Sequence, residues 1–305
     1  MAMADSPAIQ TEQLVKRYGR GGTVALKGLD LRVERGEVFG FLGPNGAGKS
    51  TTIRILLDLI RPSSGAVRVL GQDPTANPGL RRDIGYLAGD FVVSGRQTGM
   101  ELLTYLASLH SGVPASAIKS WAERLDLDLS RRIGSLSKGN RQKVGVVQAF
   151  MHQPKLLVLD EPTSGLDPFL QQQFVELTRE AAANGQTIFM SSHVMGEVQQ
   201  ACDRVGIIRE GVLVAVERVE DLRQRALRQI EVHFDSNIDS SEFASLQGVA
   251  DLTVDGRMLR CKLAGEPDAL IKTLARHHVV DLISEEPELE ELFFTYYEVR
   301  RGEVR

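Results

Sequence analysis

Residues Gly43–Thr51 read "GPNGAGKST", and the spacing of their glycines, lysine and hydroxyls decides how the rest of the chain is read. Gly43, Gly48, Lys49 and Ser50 satisfy GxxxxGK[ST], with Pro44, Asn45, Gly46 and Ala47 between the outer glycines. Such a loop wraps an oxygen-rich anion by turning backbone N–H groups inward, which needs glycine conformations and no side chains in the way. A helix starting at Lys49 adds its N-terminal amides. Lys49 brings a cation to β- and γ-phosphates, and Ser50, followed by Thr51, offers a hydroxyl to Mg²⁺. A bare glycine-rich turn is the plain alternative, and the flanks argue against it: "EVFGFLG" reads as a strand and "KSTTIRILL" as a helix.

Outward from this loop, strand and helix signals alternate. "IQTEQLVKRY" and "VALKGLDLRVERGEVFGFLG" read as strands with turns between them, and "KSTTIRILLDLI" as a helix ending before Pro62. The strand candidates "AVRVL", "IGYLA", "KLLVLD" and "TIFMSS" interleave with helical stretches, the pattern of an α/β fold. Thr98 and Glu101 have capping-box spacing at the head of "TGMELLTYLASLH". "PASAIKSWAERLDL" and "KGNRQKVGVVQAFMH" continue a helix-rich middle, and "RVGIIREGVLVAVE" reads as a hairpin turned at Glu210–Gly211. The character changes near residue 221. "EDLRQRALRQ" reads as a charged helical connector, followed by strands "IEVHF", "ADLTV", "MLRCKL" and "VVDLISEEP" around the helix "DALIKTLARHH". "ELEELFFTYYEVR" reads as an amphipathic terminal helix. The expected division is therefore 8–220, with a helical subdomain at about 90–152, and a small α+β domain at 221–305.

Bulk properties narrow the function. Of 305 residues 42% are hydrophobic and 25% charged, as in ordinary globular chains. A net charge of -4 argues against a dominant nucleic-acid-binding role. No run approaches the roughly 18 apolar residues of a spanning helix, and "MAMADSPAIQ" lacks the basic-then-apolar order of a signal peptide. Cys202 and Cys261 form no CxxC pair, consistent with a reducing compartment.

A second chemical feature is "LLVLDEP", four apolar residues that deliver Asp160 and Glu161 to a strand end, where open α/β sheets place ligands. Asp160 is expected to hold Mg²⁺, directly or through water, and Glu161 to polarise an attacking water. Acidic residues that merely begin a loop are the alternative.

Between these features lies "SLSKGNRQKVGVVQAF". With the Gly43–Thr51 loop, the Asp–Glu strand end, "SGLD" and "SSH", it makes residues 8–220 resemble the nucleotide-binding subunit of an ABC transporter. The likeness implies a P-loop NTPase fold of the ABC type, ATP as substrate and Mg²⁺ as its partner. The family's signature is usually written LSGGQ and here reads Leu136-Ser137-Lys138-Gly139-Asn140, so Lys138 and Asn140 depart from it. It also implies a head-to-tail dimer, in which Ser137, Gly139 and Asn140 of one subunit face the ATP held by the other. By the same likeness Tyr18 stacks on adenine, Ser164 and Asp167 lie at the dimer seam, and His193 touches the γ-phosphate and the catalytic water.

Among transporters, "IRILLDLIRPSSGAVRVLGQD" and "PELEELFFTYY" resemble subunits paired with ABC-2-type membrane proteins, which export drugs, antibiotics or lipids. The implied partners are a multispanning permease and a second ATP-binding subunit, on the cytoplasmic face of the cell membrane. A soluble ABC ATPase acting on DNA or ribosomes fits less well. The chain has one nucleotide module, and Lys49 to Ser137 leaves no room for long coiled coils. A nucleotide sensor without catalysis would lack a base, and Glu161 is present. The family's glutamine loop falls after "IGYLA", where this chain has Gly89 and Asp90. Asp90 is either a replacement oxygen ligand for Mg²⁺ or water, or part of a purely mechanical loop. Arg81–Arg82, Arg131–Arg132 and His277–His278 are expected to be solvated or packing residues.

Overall fold

The computed structural model describes residues 6–19, 21–89, 91, 93, 95–110, 113–164, 166–225 and 227–285. The chain divides at Val216/Glu217 into two units, each taken by itself below. Its elements are β1 (Ile9–Arg17), β2 (Val24–Val33), β3 (Val38–Leu42), α1 (Lys49–Leu56), β4 (Ser64–Val69), β5 (Ile84–Leu87), α2 (Gly99–Ser108), α3 (Ala115–Arg124) and α4 (Lys138–Phe150). They continue with β6 (Leu156–Asp160), α5 (Pro168–Ala183), β7 (Thr187–Ser192), α6 (Met195–Ala201), β8 (Arg204–Arg209) and β9 (Val212–Arg218). The second unit adds α7 (Val219–Arg225), β10 (Arg228–Phe234), α8 (Ser241–Ala244), β11 (Val249–Asp255), β12 (Met258–Leu263), α9 (Asp268–Leu274) and β13 (Val279–Glu285).

The five residues of β3 and the six of β7 are all buried, as expected of strands covered on both faces of a parallel sheet. They are the centre of a six-stranded sheet in the order β5-β6-β7-β3-β8-β9, parallel from β5 through β8. Between β8 and β9, Glu210 (φ 49) and Gly211 (φ 81) are both left-handed, the signature of a tight hairpin turn. A second, antiparallel sheet has the order β2-β1-β4. One core joins both sheets through α1: Ile53, Ile55 and Leu56 lie with Leu14, Leu26 and Leu29 and with Phe39, Phe41 and Phe189. Phe189 stacks on Phe39 at 6.0 Å. Each such side chain contributes about 1.5–3 kcal/mol by leaving water.

Helix α1 stops at Leu56, short of the Ile60 that apolar spacing predicts. Asp58 is left-handed (φ 56), Leu59 N–H reaches Arg54 O (2.8 Å) and Asp58 N–H reaches Ile55 O (2.9 Å). Those bonds make a Schellman stop, with aspartate where glycine is usual. Arg61 and Arg81 grip the buried Asp58 carboxylate at 2.8 and 2.7 Å. Arg81, although its side chain is half exposed, thus also fastens the helix end. The capping box on α2 forms as its spacing predicts: Thr98 N–H donates to Glu101 Oε2 (2.8 Å) and Glu101 N–H to Thr98 Oγ1 (3.2 Å). Helices α3, α4 and α5 meet through Trp121, Phe150 and Phe174, with centroids 5.5 and 6.4 Å apart.

In the second unit the order β10-α8-β11-β12-α9-β13 and the antiparallel sheet β11-β12-β10-β13 give the split β-α-β arrangement of ferredoxin-like domains. Alternate residues Ile230, Val232 and Phe234 of β10 and Leu259, Cys261 and Leu263 of β12 pack on Phe243, Leu270 and Leu274. The connector helix ends at Arg225, and Arg228 and Gln229 are already strand, because Arg228 pairs with β12 and Gln229 with both β12 and β13. His277 packs edge-on to Phe234 and pairs with Glu242 at 3.1 Å. The expected terminal helix "ELEELFFTYYEVR" lies outside the described residues. Among those described, no helix is long and apolar enough to cross a membrane.

His110, just after α2, and His152, just after α4, stack at 4.0 Å, and His152 Nε2 lies 3.3 Å from Ile84 O. Burial, then the adjacent His110 ring, pushes the His152 imidazole down to about 4, against the nearby Asp83, which favours its charged form. The unfolded chain therefore takes up a proton that the folded chain refuses between the ordinary histidine value and about 4. This contribution to stability is whole above roughly pH 6.5, falls as pH drops through that window and levels off below it. Urea unfolding at stepped pH is expected to show a shallower acid decline in His152→Phe, which keeps the ring stack and removes the titration.

Candidate active site

The parallel sheet brings its chemistry to one level. Asp160 stands opposite Ser191 and Leu42 opposite Ser192 in the strand register. The chain therefore leaves β6, β7 and β3 side by side, at Glu161, His193 and Gly43. A single backbone bond, Gly43 N–H to Ser192 O at 3.2 Å, ties two of these exits together.

The Gly43–Gly48 loop is built on two glycines that admit no substitute. A Cβ on Gly43 would come within 2.3 Å of Ile208 O, inside any permitted contact. Gly48 caps α1 at φ 115, a backbone state that side-chain-bearing residues rarely adopt. Pro44, Asn45 and Gly46 are exposed on the loop's crest, and Ala47 is pinned at its base, its carbonyl accepting Gly211 N–H at 2.9 Å. The first-turn N–H groups of α1 receive no side-chain cap, so they remain available to an anion. Lys49 is 6% exposed and turns back across the loop, donating to Gly43 O at 2.6 Å and Pro44 O at 3.4 Å.

Glu161 joins the loop to the other two strand ends. Its Oε1 lies 3.1 Å from Lys49 Nζ and its Oε2 2.5 Å from His193 Nδ1. An ionised carboxylate only accepts hydrogen bonds, so this pairing puts a proton on Nδ1. Glu161 has φ 47, a strained state for a residue with a side chain. Its N–H is held by both Ser191 O (3.2 Å) and Ser191 Oγ (3.1 Å). Next to it, Asp160 Oδ1 accepts from Ser191 Oγ at 2.6 Å and lies 3.4 Å from Ser50 Oγ. Among the described residues, Asp160 Oδ2 has no protein partner. One carboxylate and one hydroxyl, both hard oxygens beside a phosphate-shaped loop, fit an ion such as Mg²⁺ that takes most of its ligands from phosphates and water.

Lys49, Ser50, Asp160, Glu161 and His193 are thus brought together by direct contacts. Tyr18 joins their edge, its hydroxyl 3.3 Å from Thr51 Oγ1 and its ring 41% exposed. Ser137 does not meet them. It is an exposed N-cap of α4, accepting from Asn140 N–H at 3.2 Å, with Gly139 in the same first turn. Exposed Asp167 likewise caps α5, accepting from Leu170 N–H at 3.0 Å, and Ser164 is exposed before it. Asp90 lies outside the described residues. Its neighbour Gly89 is informative: a Cβ there would come within 2.9 Å of Asp160 O and 3.4 Å of Glu161 Cβ. The loop backbone itself presses on the carboxylate strand end.

Sequence reading passed over two residues. Gln142 is 6% exposed on α4 and donates to Pro162 O at 3.1 Å, tying the helix of Ser137 to the turn after Glu161. Its signal was legible as a polar residue on the helix's buried stripe. Ser191, fully buried, was visible as a hydroxyl ending the apolar run "TIFM".

Known proteins resemble this chain. The family described as ABC transporter matches residues 26–164. The bacitracin transport ATP-binding protein of Enterococcus faecalis is 35% identical over 257 residues, 83% of each chain. The fluoroquinolones export ATP-binding protein of Mycobacterium tuberculosis is 32% identical over 298 residues, 96% of this chain and 94% of that one. A solved ATP-binding subunit of an ABC transporter superposes with a TM-score of 0.65 at 30% identity, covering 71% of this chain and 92% of the other.

The geometry of Gly43 generates a direct test. Gly43→Ala forces β3 and β8 apart, at a cost of about 1–3 kcal/mol. The midpoint of thermal unfolding is expected to fall by roughly 2–10 °C, and binding of a fluorescent ATP analogue to be lost.

Proposed function

The chain belongs to the ABC transporter family, and from that premise we propose that it powers export through a separate membrane subunit, with two copies closing on two ATP molecules. It is an ATP-binding subunit and an ATPase. The observation that carries the finer reading is the convergence on Glu161 of Lys49 from the phosphate loop and His193 from the next strand.

In this reading the backbone amides of residues 43–49 cradle the β- and γ-phosphates, and Lys49 moves its ammonium from Glu161 to them. Ser50 and Asp160 would hold Mg²⁺, which would supply positive charge beside the phosphate oxygens. Glu161, released from Lys49, accepts a proton from the attacking water. His193 holds Glu161 through Nδ1–H and stands near enough to contact the γ-phosphate. Tyr18 covers the adenine. The exposed N-termini of α4 and α5, marked by Ser137, Gly139 and Asn140 and by Ser164 and Asp167, meet the ATP of the second subunit. What supports this is that those caps face solvent rather than their own loop. Asp90 belongs to the joint between the ATP site and the permease.

The permease is proposed to be of the ABC-2 type, with this chain on the cytoplasmic face and an antibiotic or other amphiphilic drug as cargo. Support comes from relatives named for bacitracin transport and fluoroquinolone export, which match along most of the chain. The unit 221–305 is proposed as an accessory domain, and the helix-rich insert at about 90–135 as the groove that receives a loop helix of the permease. Purification from native membranes is expected to recover a multispanning protein; recovery with ribosomes or DNA alone would count against transport.

Replacing Glu161 by Gln keeps its size and its contact with His193 but removes the base. Steady-state hydrolysis is expected to fall about 10²–10⁴-fold, while gel filtration with ATP shows a dimer that outlives the wild type's. Wild-type turnover in this variant would exclude Glu161 as the base.

A further inference from the structure

A buried hydroxyl is costly unless its bonding capacity is used. Ser191 is 0% exposed, at the end of a strand whose four preceding residues are Thr187, Ile188, Phe189 and Met190. Its one proton goes to Asp160 Oδ1 at 2.6 Å, and its lone pairs receive Glu161 N–H at 3.1 Å. Its carbonyl receives the same N–H at 3.2 Å. The parallel register sets Ser191 directly opposite Asp160, so this bridge spans two neighbouring strands at their C-terminal ends.

We propose that Ser191 is a positioning residue for the metal and the base: it commits Asp160 Oδ1 to the protein, and it clamps the left-handed backbone from which Glu161 reaches out. The inference rests on the reading of Asp160 as the Mg²⁺-holding carboxylate. With Oδ1 engaged by Ser191, the carboxylate can no longer rotate freely, and Oδ2, which has no protein partner among the described residues, is the oxygen left for the ion. Residues that orient ligands by such hydrogen bonds tune metal affinity without touching the metal. The Glu161 clamp is partly redundant, because the Ser191 carbonyl persists when the side chain is removed. Loss of the hydroxyl therefore acts first on Asp160.

The test measures ADP binding by full-length protein, at stepped Mg²⁺ concentrations and in EDTA, for the wild type and three variants. In Ser191→Ala the Mg²⁺ concentration that half-enhances ADP binding is expected to rise about 10–100-fold, with EDTA affinity and thermal midpoint near wild type. Ser191→Thr retains the hydroxyl and is expected to restore most of the Mg²⁺ response. Asp160→Asn is expected to lose that response. If Asp160→Asn loses it while Ser191→Ala keeps the wild-type curve, the role of Ser191 is overturned and the metal reading stands. If Asp160→Asn itself responds like wild type, the metal reading falls and the inference with it. Equal loss of ADP affinity with Mg²⁺ and in EDTA for Ser191→Ala would make the residue a packing element and overturn the proposal as well.

Discussion

An ammonium that is only 6% exposed must have its protons met, since an unpaired buried charge costs several kcal/mol. Lys49 satisfies this with two carbonyls of its own loop and the Glu161 carboxylate. That requirement links three strand ends. Glu161 in turn is held by Ser191, whose carbonyl and hydroxyl both receive the N–H of its left-handed backbone. The phosphate loop, the carboxylates and His193 therefore form one connected set of bonds rather than separate motifs.

The same set explains why the parallel sheet has to be rigid here. β3 and β7 are wholly buried and paired through five residues, so their ends cannot slide relative to each other. Gly43 and Gly89 then allow backbone to approach Ile208 and Asp160 more closely than any side chain would permit. Gln142 carries the constraint outward, from the turn after Glu161 to the helix that starts at Ser137. The turn after the carboxylates is thus hydrogen-bonded to the helix whose start is proposed to meet a second subunit.

Much of this was legible along the chain. The alternation of apolar runs with 3.6-periodic segments gave the α/β class, and "GPNGAGKST" and "LLVLDEP" located Lys49, Ser50, Asp160 and Glu161. The capping box at Thr98 and the turn at Glu210–Gly211 were local signals with local causes. Where reading fell short, distant partners decided. Apolar spacing carried α1 to Ile60, but Asp58 turns left-handed in the grip of Arg61 and of Arg81 from a later segment. Arg228 and Gln229 look helical in a charged run and become strand because β12 pairs with both and β13 with Gln229.

The sequence by itself determined the residue types that phosphate chemistry needs, and their order, because glycine conformation, strand periodicity and helix capping act over a few residues. Only the tertiary structure decided that Glu161 sits between Lys49 and His193, and that Ser191 aims Asp160. Those contacts join residues 32 and 31 apart, and one more than a hundred apart. No local preference encodes them. They exist because parallel pairing aligns the ends of β3, β6 and β7, and because charges and hydroxyls buried at that edge have to find one another.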